Sequence, residues 1–595
     1  MSKAMQHFAL KGKTPRKSQE IVIKAIEEEF SKNDTVILEA PVGSGKSAIA
    51  MTLAKWLGDS HILTPRKSLQ DQYYNDFSDD VVVMKGKSGY PCIPRFNQFP
   101  SRPSPMGFPD QDENKKEYAR TVKHLQKRIP IFQNPKVACD SGPCSSNNDI
   151  KRMCTKKAKD SNALRPCPYD VAKEVALNHP HVVHNVHSFF FQNYFGEGFG
   201  TAKLMVIDEA HDLEGIVRDF IKTVFKIPYK FVSKMGRPRK TDSIEVWSDW
   251  FLDGFNLTWK DIDMNLEENP TLPNSVNLTN AFKKVFSDRN EWCIREFVGG
   301  QEVEKPTFQQ RFALAFVKLV DVYSELDSDQ YIVSEEDNKD KDRWEFTFTP
   351  VTLMGRPNTM FLNYGEKRLL MSGTIYDRNM FCTNLGLDPD KVSFLRIDSE
   401  FPAKRRPIYA YSDLMTDNSY SSWNDEKSTF PQMIENIRKI LSNYSDVRGL
   451  IHAPSYTAMH DIALALDDER IITHRPDDFL SVLDAFTCDT DNNTVLISPV
   501  CQQGVDFKYD IARFQIILRV PYLNTSDDFV DYMRKTKFQW YNYQSLVIFG
   551  QQIGRVMRSE DDWGHTYLLD ERFNRYLKSN GRLLPGWLKK AIQYR

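Results

Sequence analysis

The sequence predicts an α/β fold with two parallel sheets and two insertions in the first sheet domain. Three observations carry that reading. A glycine-rich loop, Glu39-Ala-Pro-Val-Gly-Ser-Gly-Lys-Ser47, lies between the apolar run 35–40 and the helix-forming run Ala48 to Leu57. A second apolar run, Leu204 to Ile207, ends in Asp208-Glu-Ala-His211. Beyond residue 366, short apolar runs alternate again with helical segments, as parallel sheets require.

Each element follows in order. His61-Ile-Leu-Thr64 reads as the strand after the loop helix, and Val171 to Ala176 as a helix. From Gly86 to Pro166 the composition turns to Pro, Gly, Asn, Ser and Lys with weak apolar periodicity. Five of the nine cysteines, Cys92, Cys139, Cys144, Cys154 and Cys167, fall in or beside this stretch. A segment with so little apolar content needs another source of stability, which a metal supplies. Thiolates bind both zinc and iron–sulfur clusters, so the ligand type leaves both open, although the absence of a Cys-x-x-Cys pair disfavours a zinc ribbon. Residues from about 225 to 365 carry Trp247, Trp250, Trp259 and Trp292 and read as a mostly helical insertion, with the acidic run Ser334 to Asp342 as a solvated loop. Strands are expected at Arg368–Thr374, from Gly449 to His452, Thr494–Ser498 and Phe514–Leu518, with helices at Pro431–Leu441 and Tyr456–Leu466 between them.

The bulk numbers agree with an ordinary globular chain of three or four domains. There are 595 residues, 41% hydrophobic and 27% charged, with 79 basic against 80 acidic side chains. That balance argues against a nonspecific nucleic-acid coating protein but permits a local basic groove. No apolar run approaches the roughly 20 residues that span a bilayer, and the polar N-terminus does not read as a secretory signal. A reducing, cytoplasmic setting (nucleoid or nucleus in a cell) is expected, neither secreted nor membrane-bound.

The chemistry sits in three motifs. Gly43 and Gly45 let the loop 40–45 (Ala40, Pro41, Val42, Gly43, Ser44, Gly45) turn its N–H groups toward phosphate, with a helix N-terminus behind. Lys46 would neutralise the β- and γ-phosphates and Ser47 would ligate Mg²⁺. Asp208 would hold Mg²⁺ and Glu209 would orient and deprotonate the attacking water. In Gly550-Gln-Gln-Ile-Gly-Arg-Val-Met-Arg558, Arg555 and Arg558 stand three apart, on one face of an expected helix, and would reach the γ-phosphate from the second domain together with Gln551. The histidines at 179, 181, 184 and 187 read as strand-capping or core contacts rather than a metal site.

Taken together these residues resemble the iron–sulfur superfamily 2 DNA helicases, the XPD/DinG family, over nearly the whole chain. Arg16-Lys-Ser-Gln19 resembles the adenine-side motif, with Gln19 as base reader, and Thr64-Pro-Arg-Lys-Ser-Leu-Gln-Asp-Gln72 resembles motif Ia, which contacts the DNA backbone. Lys85 to Cys92 and Cys167-Pro-Tyr with Val182 to Asn185 resemble the entry to and exit from the cluster domain. Ser372-Gly-Thr374 matches motif III, and Gly449 to Tyr456 is similar to motif IV. Ser498 to Asp506 is similar to motif V, with Gln503 where the family often has Glu.

The resemblance implies two RecA-like motor domains, a [4Fe–4S] cluster and a helical Arch domain. It implies ATP bound at the loop with Asp506 contributing, Mg²⁺, and 5′→3′ movement on single-stranded DNA with unwinding of forked duplex. Cys92, Cys139, Cys144 and Cys167 would hold the cluster, with Cys154 as a substitute. The expected division is motor domain 1 at 1–85, 171–225 and 366–400, cluster domain at 86–170, Arch at 226–365 and motor domain 2 at 401–595. A monomer is expected. The motor motifs alone also fit a DEAH-type RNA helicase or an ATP-gated clamp on DNA.

Overall fold

The computed structural model describes residues 2–10, 14–90, 168–195, 198–234, 236–267, 274–289, 291, 293–298, 301–324, 326–327, 329–355, 361–424, 428–488, 493–501, 507, 509–556 and 561–595. The first sheet forms around strands whose side chains are buried on both faces. In chain order these are β1 (Thr35–Glu39), β2 (Ser60–Thr64), β3 (Val82–Met84), β4 (His181–Asn185) and β5 (Ala202–Asp208). All five residues of β1 are buried, so both sides of the strand must be covered, the condition for a parallel sheet.

The chain then leaves the sheet for an insertion containing β6 (Thr223–Pro228), β7 (Cys293–Val298), β8 (Gln301–Pro306), β9 (Tyr331–Asn338) and β10 (Arg343–Pro350). It returns through β11 (Gly365–Ser372) and β12 (Val392–Arg396). The finished first sheet is parallel throughout, in the order β12-β1-β11-β5-β2-β4-β3. Placing β1 beside β11 and β11 beside β5 brings the phosphate loop, Ser372 and Asp208 to one edge, because each follows the C-terminal end of its strand.

The insertion is not the mostly helical body that its tryptophans suggested. Four helices, Ile244–Gly254, Trp259–Asp263, Asn274–Asp288 and Phe308–Tyr323, accompany an antiparallel sheet β6-β10-β9 and a hairpin β7-β8. The acidic run is likewise no loop at its start. Ser334 to Asn338 complete the edge strand β9, whose buried Tyr331 and Val333 anchor it while Glu336 and Asp337 face solvent. Trp247, Trp250, Phe251, Phe255, Phe312 and Phe346 fill the insertion's core, with Phe225 and Phe251 stacked at 4.1 Å between ring centroids. This core runs without a break into that of the first motor domain through Leu213, Ile216 and Val217, so the insertion is built onto the sheet domain.

The second domain contains β13 (Ile408–Ala410), β14 (Gly449–His452), β15 (Ile471–Ile472), β16 (Val495–Ser498), β17 (Phe514–Ile517), β18 (His565–Leu568) and β19 (Ile592–Tyr594). They form another all-parallel sheet, ordered β15-β16-β14-β17-β18-β13-β19. The helices Phe430–Ser442 and Tyr456–Leu466 cover it where the sequence placed them. Among the described residues no helix is long and apolar enough to cross a membrane.

Candidate active site between the two sheets

The phosphate loop is shaped by two glycines. Gly43 and Gly45 both have φ of 79°, the left-handed region that side chains rarely adopt. Gly45 also caps the helix Lys46–Leu57, and a Cβ there would lie 2.2 Å from Gln19 Nε2. The helix N-terminus and its free N–H groups therefore face the concavity of the loop, a site for anions. Arg16 and Gln19 brace the loop from behind. Arg16 donates to the Gly43 carbonyl at 2.6 Å, and Gln19 Nε2 to the Ser44 carbonyl at 3.3 Å, while Gln19 Oε1 accepts from Arg16 N. The amide expected to read the base is thus engaged by the loop backbone. Lys46 Nζ donates to the Ala40 carbonyl at 3.3 Å.

The acidic box closes β5. Asp208 is buried, with Oδ1 accepting from the Glu209 N–H and Oδ2 from the Tyr73 hydroxyl, both at 3.0 Å. Glu209 has φ of 56°, an uncommon conformation for a side-chain-bearing residue and one found at functional turns. Burial first, then the neighbouring Glu209 charge, pushes the Asp208 carboxyl up to about 6. Burial acts on Glu209 in the same sense, but the His211 hydrogen bond and the Lys46 charge outweigh it, and Glu209 stays below the usual carboxylate range. His211 is buried too, and the Asp212 and Glu209 carboxylates overcome that burial and raise its pKa.

A chain of contacts leads from this box across the cleft. His211 Nδ1 lies 3.3 Å from Glu209 Oε2 and 2.8 Å from Ser372 Oγ. Ser372 Oγ accepts from the Thr374 N–H, and Thr374 Oγ1 accepts from Gln551 Nε2 at 2.8 Å. Gln551 Oε1 then accepts from Arg555 at 3.3 Å. Glu209 and Arg555, from different sheets, are in this way joined through motif III.

Arg555 does not stand on the helix expected to carry it. The helix Phe538–Ile553 stops at Ile553, with Gly554 as its C-cap, and Arg555 follows in a turn. Its side chain is buried and lines the cleft. Arg558 and Asp506 lie outside the described residues, as do Cys92, Cys139, Cys144, Cys154 and Cys167.

The cleft has a volume of about 420 Å³. Pro41 to Gly43, Gly45 to Ser47, Asp208, Glu209 and Thr374 line one side, and Gly550, Gln551, Arg555, Arg406 and Trp587 the other. Its donor set suits a nucleoside triphosphate with a divalent cation: a glycine cradle with Lys46, a hydroxyl and carboxylate at Ser47 and Asp208, and a cation from the facing domain. Sequence reading missed several of its members. Arg406 lies over the Trp587 ring at 4.2 Å and donates to the Phe401 carbonyl, and the only signal for it was its place in the passage between domains. Arg66 and Gln72, expected on the DNA side, line the cleft as well. Two of the four histidines took core roles, with His181 contacting Ser60 Oγ at 3.1 Å and His184 contacting His61 at 3.2 Å, while His187 is exposed.

Two parallel sheets face one cleft, with an Asp-Glu-Ala-His box on one side and an arginine on the other, an arrangement suited to a nucleotide-driven motor. Comparisons narrow the class. A family model described as "Type III restriction enzyme, res subunit" matches residues 12–232, and one described as "Helicase C-terminal domain" matches residues 437–591. The chain is 25% identical over 229 residues to the ATP-dependent DNA helicase YoaA of Haemophilus influenzae, covering 36% of this chain and 35% of that protein. It is 27% identical over 117 residues to the XPD helicase subunit of general transcription and DNA repair factor IIH from Dictyostelium discoideum, covering 18% and 15%. A solved structure of an XPD helicase superposes over 98% of this chain and all of its own, with a TM-score of 0.53 at 16% identity, so the fold is shared. The matched region spans only about a third of the length of the YoaA relative. The chain is thus similar to helicases of the YoaA and XPD kind over parts of its sequence, and it shares its fold with an XPD helicase over nearly all of its length.

Proposed function

We propose that the protein is an ATP-dependent DNA helicase that moves 5′→3′ along single-stranded DNA and unwinds forked duplex. The observation that carries this reading is the relay from Glu209 through His211, Ser372, Thr374 and Gln551 to Arg555. It links the group that would activate water with the cation that would meet the γ-phosphate, so the two are in register only when the sheets are closed on each other.

In this reading the loop N–H groups and Lys46 hold the phosphates, Glu209 takes a proton from the attacking water, and Arg555, braced by Gln551, neutralises charge on the γ-phosphate. Ser47 and Asp208 would hold Mg²⁺, which supplies charge neutralisation on the β- and γ-phosphate oxygens. Glu209, held below the usual carboxylate range, is ionised at neutral pH. Opening and closing of the two domains would advance the strand, held mainly by phosphate contacts. A [4Fe–4S] cluster on Cys92, Cys139, Cys144 and Cys167 would stiffen the segment between the loop and the acidic box, supported by the clustering of thiols in a stretch poor in apolar residues.

The test is ATP hydrolysis with single-stranded DNA, with RNA and with neither. Stimulation by DNA, abolished in Lys46→Ala, is expected. Stimulation by RNA alone would turn the reading to a DEAH-type RNA helicase. Slow hydrolysis with a long-lived DNA complex would turn it to a clamp.

A further inference from the structure

Tyr73 looks like a core residue in sequence, since Gln70, Tyr73 and Phe77 fall at helical spacing on one side of the helix Lys67–Asp76 and its C-cap. Its ring is fully buried and packs near Phe77 at 6.2 Å. A buried phenol must satisfy its hydroxyl, and the partners it uses are informative. The hydroxyl donates to Asp208 Oδ2 at 3.0 Å. Asp208 ends β5, a different element from the helix that bears Tyr73, and it is the carboxylate that would ligate Mg²⁺.

We propose that Tyr73 is the positioning residue of the divalent-cation site, its phenol fixing the Asp208 carboxylate. The inference rests on reading the cleft as an ATP site and adds to it a group that no motif supplies. Asp208 Oδ1 is held by the Glu209 N–H, so the phenol on Oδ2 leaves the carboxylate no freedom to rotate. Outer groups that orient ligating carboxylates in this way set metal affinity, and their loss typically weakens it about 10- to 100-fold. The helix bearing Tyr73 also carries Ser68, Leu69 and Gln72 into the cleft. Movement of this helix would therefore reach the cation through a single hydroxyl.

Tyr73→Phe removes one oxygen and keeps the ring. The experiment measures binding of a fluorescent ADP analogue to wild type and variant, in EDTA and across a Mg²⁺ titration, with thermal midpoints of the free proteins as a control for folding. Equal ADP affinity in EDTA is expected, with half-saturating Mg²⁺ raised about 10- to 100-fold in the variant. Superimposable Mg²⁺ titrations would overturn the proposal. So would a loss of ADP affinity equal with and without Mg²⁺, which would make Tyr73 a support for the loop alone. A wild-type protein that binds no ADP would overturn the ATP-site reading, and the role of Tyr73 with it.

Discussion

The indole N–H of Trp540 donates to the carboxylate of Glu214 at 2.6 Å, a contact between residues 326 positions apart. Glu214 begins the helix Leu213–Ile221 that leaves the acidic box, and Trp540 begins the helix Phe538–Ile553 that ends at Gln551 and Ile553. Gln544 donates to the other Glu214 oxygen at 2.6 Å. Arg218 pairs with Glu214 at 2.9 Å, donates to the Pro350 carbonyl at the end of β10, and lies over the Phe529 ring at 4.4 Å. Box helix, insertion and second domain thus meet at one buried ion pair. Eleven residues of helix, roughly 16 Å at 1.5 Å each, separate this anchor from Gln551 in the cleft. The second domain is held at one end of the helix and acts at the other.

Glu214→Ala leaves Arg218 buried without its carboxylate and should cost about 3–5 kcal/mol. Trp540→Phe, which loses one hydrogen bond and keeps most of the packing, should cost about 1–2 kcal/mol. Urea unfolding of both variants measures the difference, and equal small losses would mean that the pair contributes little.

Arg555→Ala should lower kcat of ATP hydrolysis by about 10³-fold with little change in KM, the effect of removing a cation that acts on transferring phosphate. Gln551→Ala removes the link to Thr374 and the brace on Arg555, and a loss of about tenfold is expected from one hydrogen bond in the closed state. Steady-state kinetics with DNA present separates the two constants.

His452 on β14 donates from Nε2 to Gln515 Oε1 at 3.0 Å, and burial pulls its pKa from 6.5 down to about 4. Between those pH values the unfolded chain carries one more proton than the folded one. The stabilisation is therefore complete above about pH 6.5 and is lost as pH falls toward 4, at up to about 1.4 kcal/mol per unit. His452→Gln keeps a donor in reach of Gln515 without the titration. Between pH 7 and pH 5 the wild type should lose about 2 kcal/mol more than the variant in urea unfolding.

Protein purified without oxygen should contain about four iron and four sulfide per chain, the stoichiometry of one [4Fe–4S] cluster. Cys167→Ser should lose the cluster and strand separation while still binding ATP. Zinc in place of iron, or a Cys167→Ser protein that unwinds normally, would refute the cluster.

What could be read from the sequence was what depends on local pattern. The apolar run before the loop gave β1, and the periodicity of 456–466 gave its helix to the residue. The insertion strands escaped because three of the eight residues of β9 are acidic, its fold set by pairing with β10 rather than by apolar alternation. Arg555 was assigned to a helix because a three-residue spacing suggests one, but Gly554 ends that helix one residue earlier. Tyr73 sits at core spacing in the sequence, and only its hydroxyl on Asp208 distinguishes it from packing. Glu214 and Trp540 carry no motif, and only the closed arrangement of two domains brings them together.

Strand displacement with ATP on two partial duplexes, one with a 5′ and one with a 3′ single-stranded tail, tests the proposed function most directly. Unwinding of the 5′-tailed duplex alone, absent in Lys46→Ala, is the result this account predicts. Unwinding from the 3′ tail, or none from either tail while ATP is hydrolysed, would contradict it.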